Sequence, residues 1–122
     1  MIKKVLIADD EPNIVISLEF LLRREGFDVL VAVDGEEALA KARSERPDLV
    51  LLDVMMPKMN GFDVCQALRA DPDLAAMRIL MLTAKGRDTE VSKGLGLGAD
   101  AYVTKPFSTK DLVAQVRLLL GV

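Results

Sequence analysis

Two rhythms of apolar and polar residues take turns along this chain. Short, nearly unbroken apolar runs occur at Val5–Ala8, Leu49–Leu52, Ile79–Leu82 and Ala101–Val103. Such runs are the pattern of strands buried on both faces. Strands are accordingly predicted over Lys3–Asp9, Phe27–Val33, Asp48–Asp53, Arg78–Thr83 and Asp100–Thr104. Between them, apolar residues recur at helical spacing. Ile14, Leu18, Leu21 and Leu22 mark a helix from Pro12 to about Glu25; Pro12 suits its first turn and Gly26 its end. A second helix runs from Gly35 to about Arg46, with Ala38, Leu39 and Ala42 inward and Pro47 closing it. The Asn60-Gly61 turn opens a third, which Asp71-Pro72 breaks after about Ala70. The fourth is predicted over Asp88–Leu97, although Gly94, Gly96 and Gly98 would weaken it by about 1 kcal/mol each inside a helix. Ser108 is placed to cap a fifth, which reaches Leu120 before Gly121. Strict alternation of five strands and five helices predicts a single α/β domain over residues 1–122. Its sheet should be parallel, covered on both faces and joined by right-handed crossovers.

Composition narrows what such a domain can do. With 122 residues, 51% hydrophobic and 29% charged, the chain can bury one core and keep a soluble surface. No apolar run approaches the ~18–20 residues that span a bilayer. The start, Met1-Ile2-Lys3-Lys4, lacks the features of a secretory signal. A cytoplasmic protein that makes no use of a membrane is expected. The single cysteine, Cys65, excludes an intrachain disulfide and is expected to be a small buried residue. A net charge of −3 argues against this domain gripping a nucleic acid directly. The absence of histidine removes the usual general base and the usual transition-metal ligand. Any metal should therefore be hard and oxygen-bound.

The polar residues that end the apolar runs form one chemical set. The first strand runs into Asp9 and Asp10, the third into Asp53, the fourth into Thr83, and the fifth through Thr104 into Lys105-Pro106. In open parallel sheets, ligands bind outside the carboxyl ends of the strands. If the first and third strands are neighbours, three carboxylates converge there, and their repulsion calls for a cation. Mg²⁺ fits, since it takes one or two carboxylates together with waters and phosphate oxygens. Phosphoryl transfer needs positioning and charge neutralisation, which a metal, a hydroxyl such as Thr83 and an ammonium such as Lys105 can share. A carboxylate can itself be the nucleophile, and Asp53, on a central strand before a long loop, is the best candidate. Pro106 invites a cis peptide that would aim Lys105 inward. Singly, each acid has a plainer reading. Asp9 or Asp10 could cap the first helix, and Asp53 could simply end a strand.

With these residues in view, the chain resembles the receiver domain of bacterial response regulators over essentially its full length. The matching motifs are Asp9-Asp10, the stretch from Asp53 through Pro57 to Gly61, Thr83-Ala84, Gly98-Ala-Asp-Ala-Tyr102 and Lys105-Pro106-Phe107. The resemblance implies a flavodoxin-like (βα)5 fold with strand order 2-1-3-4-5. It implies that Asp53 accepts a phosphoryl group from a sensor histidine kinase or phosphotransfer protein. Asp10, Asp53 and the backbone carbonyl of Met55 would hold Mg²⁺, with Asp9 acting through a metal-bound water. Lys105 would pair with the phosphoryl group, Thr83 would swing toward it, and Tyr102 would move into the vacated space. A downstream protein or a tethered output domain would then read the face of the fourth helix, fifth strand and fifth helix. The protein would be a switch and no enzyme, beyond catalysing its own phosphoryl transfer and slow autodephosphorylation.

One branch of that family dimerises through salt bridges on this face. Asp100, Asp111 and Arg117 keep the expected character, but Val91, Ala101 and Gln115 stand where charged partners would be needed. A monomer, or a weak or phosphorylation-dependent dimer of another kind, is expected. Two other functions compete. An aspartyl-nucleophile phosphatase of the haloacid dehalogenase-like class would need a second acid where Met55 stands, and it would need a cap segment. A receiver-like module that never uses phosphate would not need the intact acceptor set. Gly94-Leu-Gly96-Leu-Gly98 precedes a strand and lacks dinucleotide-fingerprint spacing.

Overall fold

A computed structural model describes residues 2–84 and 88–122; Met1 and residues 85–87 lie outside the described residues. The elements follow in strict alternation: β1 (Lys4–Ala8), α1 (Pro12–Arg24), β2 (Asp28–Ala32), α2 (Gly35–Glu45), β3 (Leu49–Asp53), α3 (Gly61–Ala70), β4 (Arg78–Ala84), α4 (Asp88–Gly96), β5 (Ala101–Lys105) and α5 (Thr109–Leu120). The predicted strand and helix ends differ from these by at most one residue. The five strands form one parallel sheet in the order β2-β1-β3-β4-β5. This is the flavodoxin-like arrangement, with β1 and β3 side by side.

Alternation along the strands sends successive side chains to opposite faces. Leu6, Ala8, Val50, Leu52, Ile79 and Met81 pack with residues of α2 and α3 on one side. Val5, Ile7, Leu49, Leu51, Leu80 and Leu82 pack with α1 and α5 on the other. All five residues of β3 are buried, as expected of a central strand covered twice. Truncating one of these leucines to alanine should cost about 2–5 kcal/mol.

Helix ends are set by side chains near them. Asp34, Asn60 and Ser108 each accept a hydrogen bond from the backbone N–H three residues on, at 2.8, 2.9 and 3.3 Å. Each such cap is worth about 1 kcal/mol. The start of α1 is different. Its N-cap is Glu11, whose side chain caps nothing. Asp9 Oδ1 instead accepts from the Glu11 N–H at 2.9 Å, so neither aspartate is the N-cap residue. At the far end of α4, Gly98 adopts φ +110°, a conformation that an L side chain resists. Its N–H reaches Leu95 O, and the Ala99 N–H reaches Gly94 O, which closes the helix in a Schellman motif. Gly98 is thus a stop signal. Gly94 is buried inside α4 against Met81 and Phe62. Cys65 is buried too, as expected of a small core residue, and burial pushes its thiol pKa up.

Candidate phosphoryl-transfer and metal site

The strand ends deliver the predicted set to one place. Asp9 continues the β1 ladder, its N–H donating to Ala32 O at 3.1 Å, and its side chain is fully buried. Asp53 ends β3 and is 5% exposed. Asp10 is exposed beside them. One carboxylate oxygen from each of Asp9, Asp10 and Asp53 lies within 4.8 Å of the others. Lys105 closes the cluster. Its Nζ lies 2.9 Å from Asp9 Oδ2 and 3.4 Å from Asp53 Oδ1. The Lys105–Pro106 peptide is cis, as expected from the sequence.

The electrostatics follow from this crowding. Burial first, then the charge of Asp9, pushes the Asp53 carboxyl up to about 7, against the pull of Lys105. Burial works against the Lys105 ammonium, but contact with Asp9 and the charge of Asp53 outweigh it, so its pKa is raised. Asp9 Oδ2 pairs with Lys105 as an ion but lies off a hydrogen-bonding direction. It is buried without a hydrogen-bond partner among the described residues. Three hard carboxylates around one ammonium leave excess negative charge, which a divalent cation with oxygen preference would neutralise. The donor set therefore fits such an ion, and Asp9, Asp10 and Asp53 are the residues that could hold it.

Thr83 lies near the end of β4, the strand beside β3, where Asp53 pairs with Leu82. It is 2% exposed, and its Oγ1 has no hydrogen-bond partner among the described residues. A buried hydroxyl without a partner costs free energy, so a phosphoryl oxygen arriving nearby would be a favourable acceptor. Tyr102 pairs with Met81 across β4 and β5 and is 44% exposed, so its ring lies outside the core. By strand parity, Asp9, Asp53 and Lys105 belong with the residues that face α1 and α5. Thr83 and Tyr102 belong with Met81 on the other face.

The loop after Asp53 is held at both ends. Gly61 N–H donates to Val54 O at 2.9 Å, and Gly35 N–H to Pro57 O at 3.4 Å. Lys58, at φ +70°, pairs with Asp34 at 3.6 Å. Met55 lies in this loop and is 71% exposed, unlike its buried neighbours Val54 and Met56. One residue of the cluster was not expected from the sequence. Glu11 places Oε1 3.1 Å from Lys105 Nζ. A signal for it was present: glutamate is a poor N-cap, yet it directly follows the acid pair at the start of α1.

The whole chain is similar to proteins already described. Residues 5–117 match the family described as response regulator receiver domain. Over 98% of its length the chain is 51% identical to the alkaline phosphatase synthesis transcriptional regulatory protein PhoP of Bacillus subtilis, covering 49% of that protein. It is 52% identical to the DNA-binding response regulator MtrA of Mycolicibacterium smegmatis, over 98% of this chain and 51% of that one. The chain thus spans about half the length of these relatives. Among solved structures, the chemotaxis response regulator CheY4 of Vibrio cholerae superposes with a TM-score of 0.92 at 35% identity, over 98% of this chain and 100% of that one. A CheY-like response regulator receiver domain protein from Methanospirillum hungatei superposes with a TM-score of 0.92 at 30% identity, over 99% and 95%.

Proposed function

The chain belongs to the receiver domains of two-component response regulators, which are phospho-acceptor signalling switches, and we propose that Asp53 is its acceptor and that Mg²⁺ is its cofactor. The observation that carries this reading is the meeting of Asp53 with Asp9, Asp10 and Lys105 at the carboxyl end of the central strands.

A carboxylate oxygen of Asp53 attacks the phosphorus of a phosphohistidine on a kinase or phosphotransfer protein. The P–O bond forms as the P–N bond breaks, and the electron pair stays on the imidazole nitrogen, which takes up a proton from water. Lys105 neutralises one phosphoryl oxygen and holds the carboxylate in line. The Thr83 hydroxyl turns to a second oxygen and gains the partner it lacks. Tyr102 then moves from its exposed position into the space Thr83 leaves. Asp10, Asp53 and the Met55 carbonyl would hold Mg²⁺, with Asp9 acting through a water. Bound there, such an ion would supply positive charge to the phosphoryl oxygens. Contacts that exist only with phosphate present bias a two-state equilibrium.

The reading extends to the setting of the protein. No helix among the described residues is long and apolar enough to cross a membrane, which supports a cytoplasmic switch. The relatives' names point to a tethered DNA-binding output as the downstream partner, while the net charge of −3 leaves nucleic-acid contact to that partner. Catalysis is limited to the domain's own phosphoryl transfer and slow dephosphorylation. Its dimer, if phosphorylation brings one, is weak. Incubation with acetyl phosphate and Mg²⁺, followed by intact mass, tests the core of this. A stoichiometric adduct lost in Asp53→Asn supports it. Turnover of phosphate esters without an adduct, or no adduct at all, refutes it.

A further inference from the structure

Glu11 stands where a helix-capping side chain belongs and caps nothing. Its carboxylate turns instead across to Lys105 Nζ, at 3.1 Å, from a residue 94 positions away in sequence. Asp9 Oδ1 anchors the turn by accepting the Glu11 N–H at 2.9 Å. Three acids surround the Lys105 ammonium, Asp9 at 2.9 Å, Glu11 at 3.1 Å and Asp53 at 3.4 Å, but among the described residues only Glu11 accepts a hydrogen bond from it. A phosphoryl group on Asp53 needs that ammonium turned toward it, away from the direction the Glu11 hydrogen bond holds. Asp9 is fully buried, and Asp53 is the group being modified. Glu11, with its side chain 59% exposed, is the partner that water can most readily replace.

On the acceptor reading above, we propose that Glu11 is a positioning residue: its carboxylate occupies Lys105 in the unphosphorylated protein and must let go when the phosphoryl group arrives. Glu11 thereby sets the balance between the two states without touching the reacting atoms. The exchange is one of ion-pair partners only. Lys105 stays protonated throughout, and no covalent bond to Glu11 forms or breaks.

Two substitutions separate this from a general effect of surface charge. Glu11→Gln removes the ion pair. Glu11→Asp keeps the charge at the mouth of the site but shortens the arm by one methylene, out of reach of Lys105, and aspartate also caps α1 well. Glu36→Gln, on the first turn of α2, serves as the charge control. For each protein, the affinity for beryllofluoride with Mg²⁺ and the rate of adduct formation with acetyl phosphate are measured. Both Glu11 variants should bind the mimic about threefold more tightly and react about threefold faster, a size typical of losing one exposed ion pair. The Lys105 ammonium should show a shifted ¹⁵N resonance in both variants before any phosphate is added. Variants equal to wild type, slower than wild type, or matched by Glu36→Gln overturn the inference. Glu11→Asp behaving as wild type while Glu11→Gln differs assigns the effect to charge alone and overturns it as well. If wild-type protein binds no mimic and forms no adduct, the acceptor reading itself falls and takes this inference with it. If wild type does both, the variants decide the role of Glu11 alone.

Discussion

A β-carbon placed on Gly61 would lie 2.3 Å from the carbonyl oxygen of Asp53. The first turn of α3 therefore packs directly on the Asp53 peptide, closer than any other residue type permits. Gly61→Ala should push the two apart and cost about 1–3 kcal/mol of stability, as over-packing does. Urea unfolding checks the stability. The adduct rate should also fall, since Asp53 is displaced.

Asp53 carries a pH signature. Its ordinary value of 3.8 is raised to about 7 in the fold, first by burial and then by Asp9. A raised carboxyl binds its proton more tightly in the folded state. Its contribution is therefore most favourable below about pH 4, erodes as pH rises toward 7, and is flat beyond. Asp53→Asn should stabilise the metal-free protein by about 1–2 kcal/mol at pH 8, after allowance for solvent screening, and by almost nothing at pH 4. Thermal unfolding at the two pH values tests this. Added Mg²⁺ should stabilise wild type more than the variant.

Met55 sits two residues beyond Asp53 with its side chain in solvent. On the acceptor reading, an apolar side chain this close to Asp53 in sequence would obstruct a water approaching the acyl phosphate. Met55→Asn should speed loss of the phosphoryl group by about three- to tenfold, a barrier change of roughly 0.6–1.4 kcal/mol. Decay of the adduct after removal of the donor is the measurement, and an unchanged half-life rejects the idea.

Two of the charges that one branch of the family uses for dimers, Asp100 and Arg117, are engaged within the chain. Asp100 accepts from Arg69 at 2.8 Å and from the Ile79 N–H at 2.8 Å, and Arg117 pairs with Glu25 at 2.9 Å. Arg69 also donates to the carbonyls of Gly98, Ala75 and Met77, tying α3 to the strand and helix ends beside it. Arg69→Ala should cost about 2 kcal/mol by stripping Asp100 and three carbonyls of a donor. Sedimentation of the beryllofluoride form should show monomer or weak self-association; a tight dimer would contradict this.

Within α4, a β-carbon added to Gly96 would meet no heavy atom within 4 Å, and the residue has no positive φ. Gly96→Ala should stabilise the protein by about 0.5–1 kcal/mol. Slow amide exchange in α4, equal to that of α1, would show that its glycines do not make it a labile element.

Much of this was legible beforehand for an identifiable reason. A strand buried on both faces must be apolar along its length, so β1, β3 and β4 announced themselves, and the first polar residue after each run marked the sheet's working edge. The side-by-side placement of β1 and β3 was legible only through family resemblance, because apolar runs carry no information about which neighbour they pair with. The glycines of α4 were ambiguous for a similar reason: composition shows a weak helix former but not whether it ends a helix, as Gly98 does, or lets a strand approach, as Gly94 does. Glu11 escaped notice because its role depends on side-chain direction. An exposed acid at a helix start reads as solvated until Lys105 is seen 3.1 Å away.

Lys105 and Tyr102 stand three places apart on β5, an odd interval, so the pleat turns them to opposite flanks of the sheet. That strand is the border of the sheet, stitched to β4 along one margin only. A tug on its tip therefore reaches the ring through a lever roughly 10 Å long, at about 3.3 Å per residue. The lever can tilt without tearing the centre of the molecule. On the proposed acceptor chemistry, an event at Lys105 would reach Tyr102 through this short rod instead of a rearranged core.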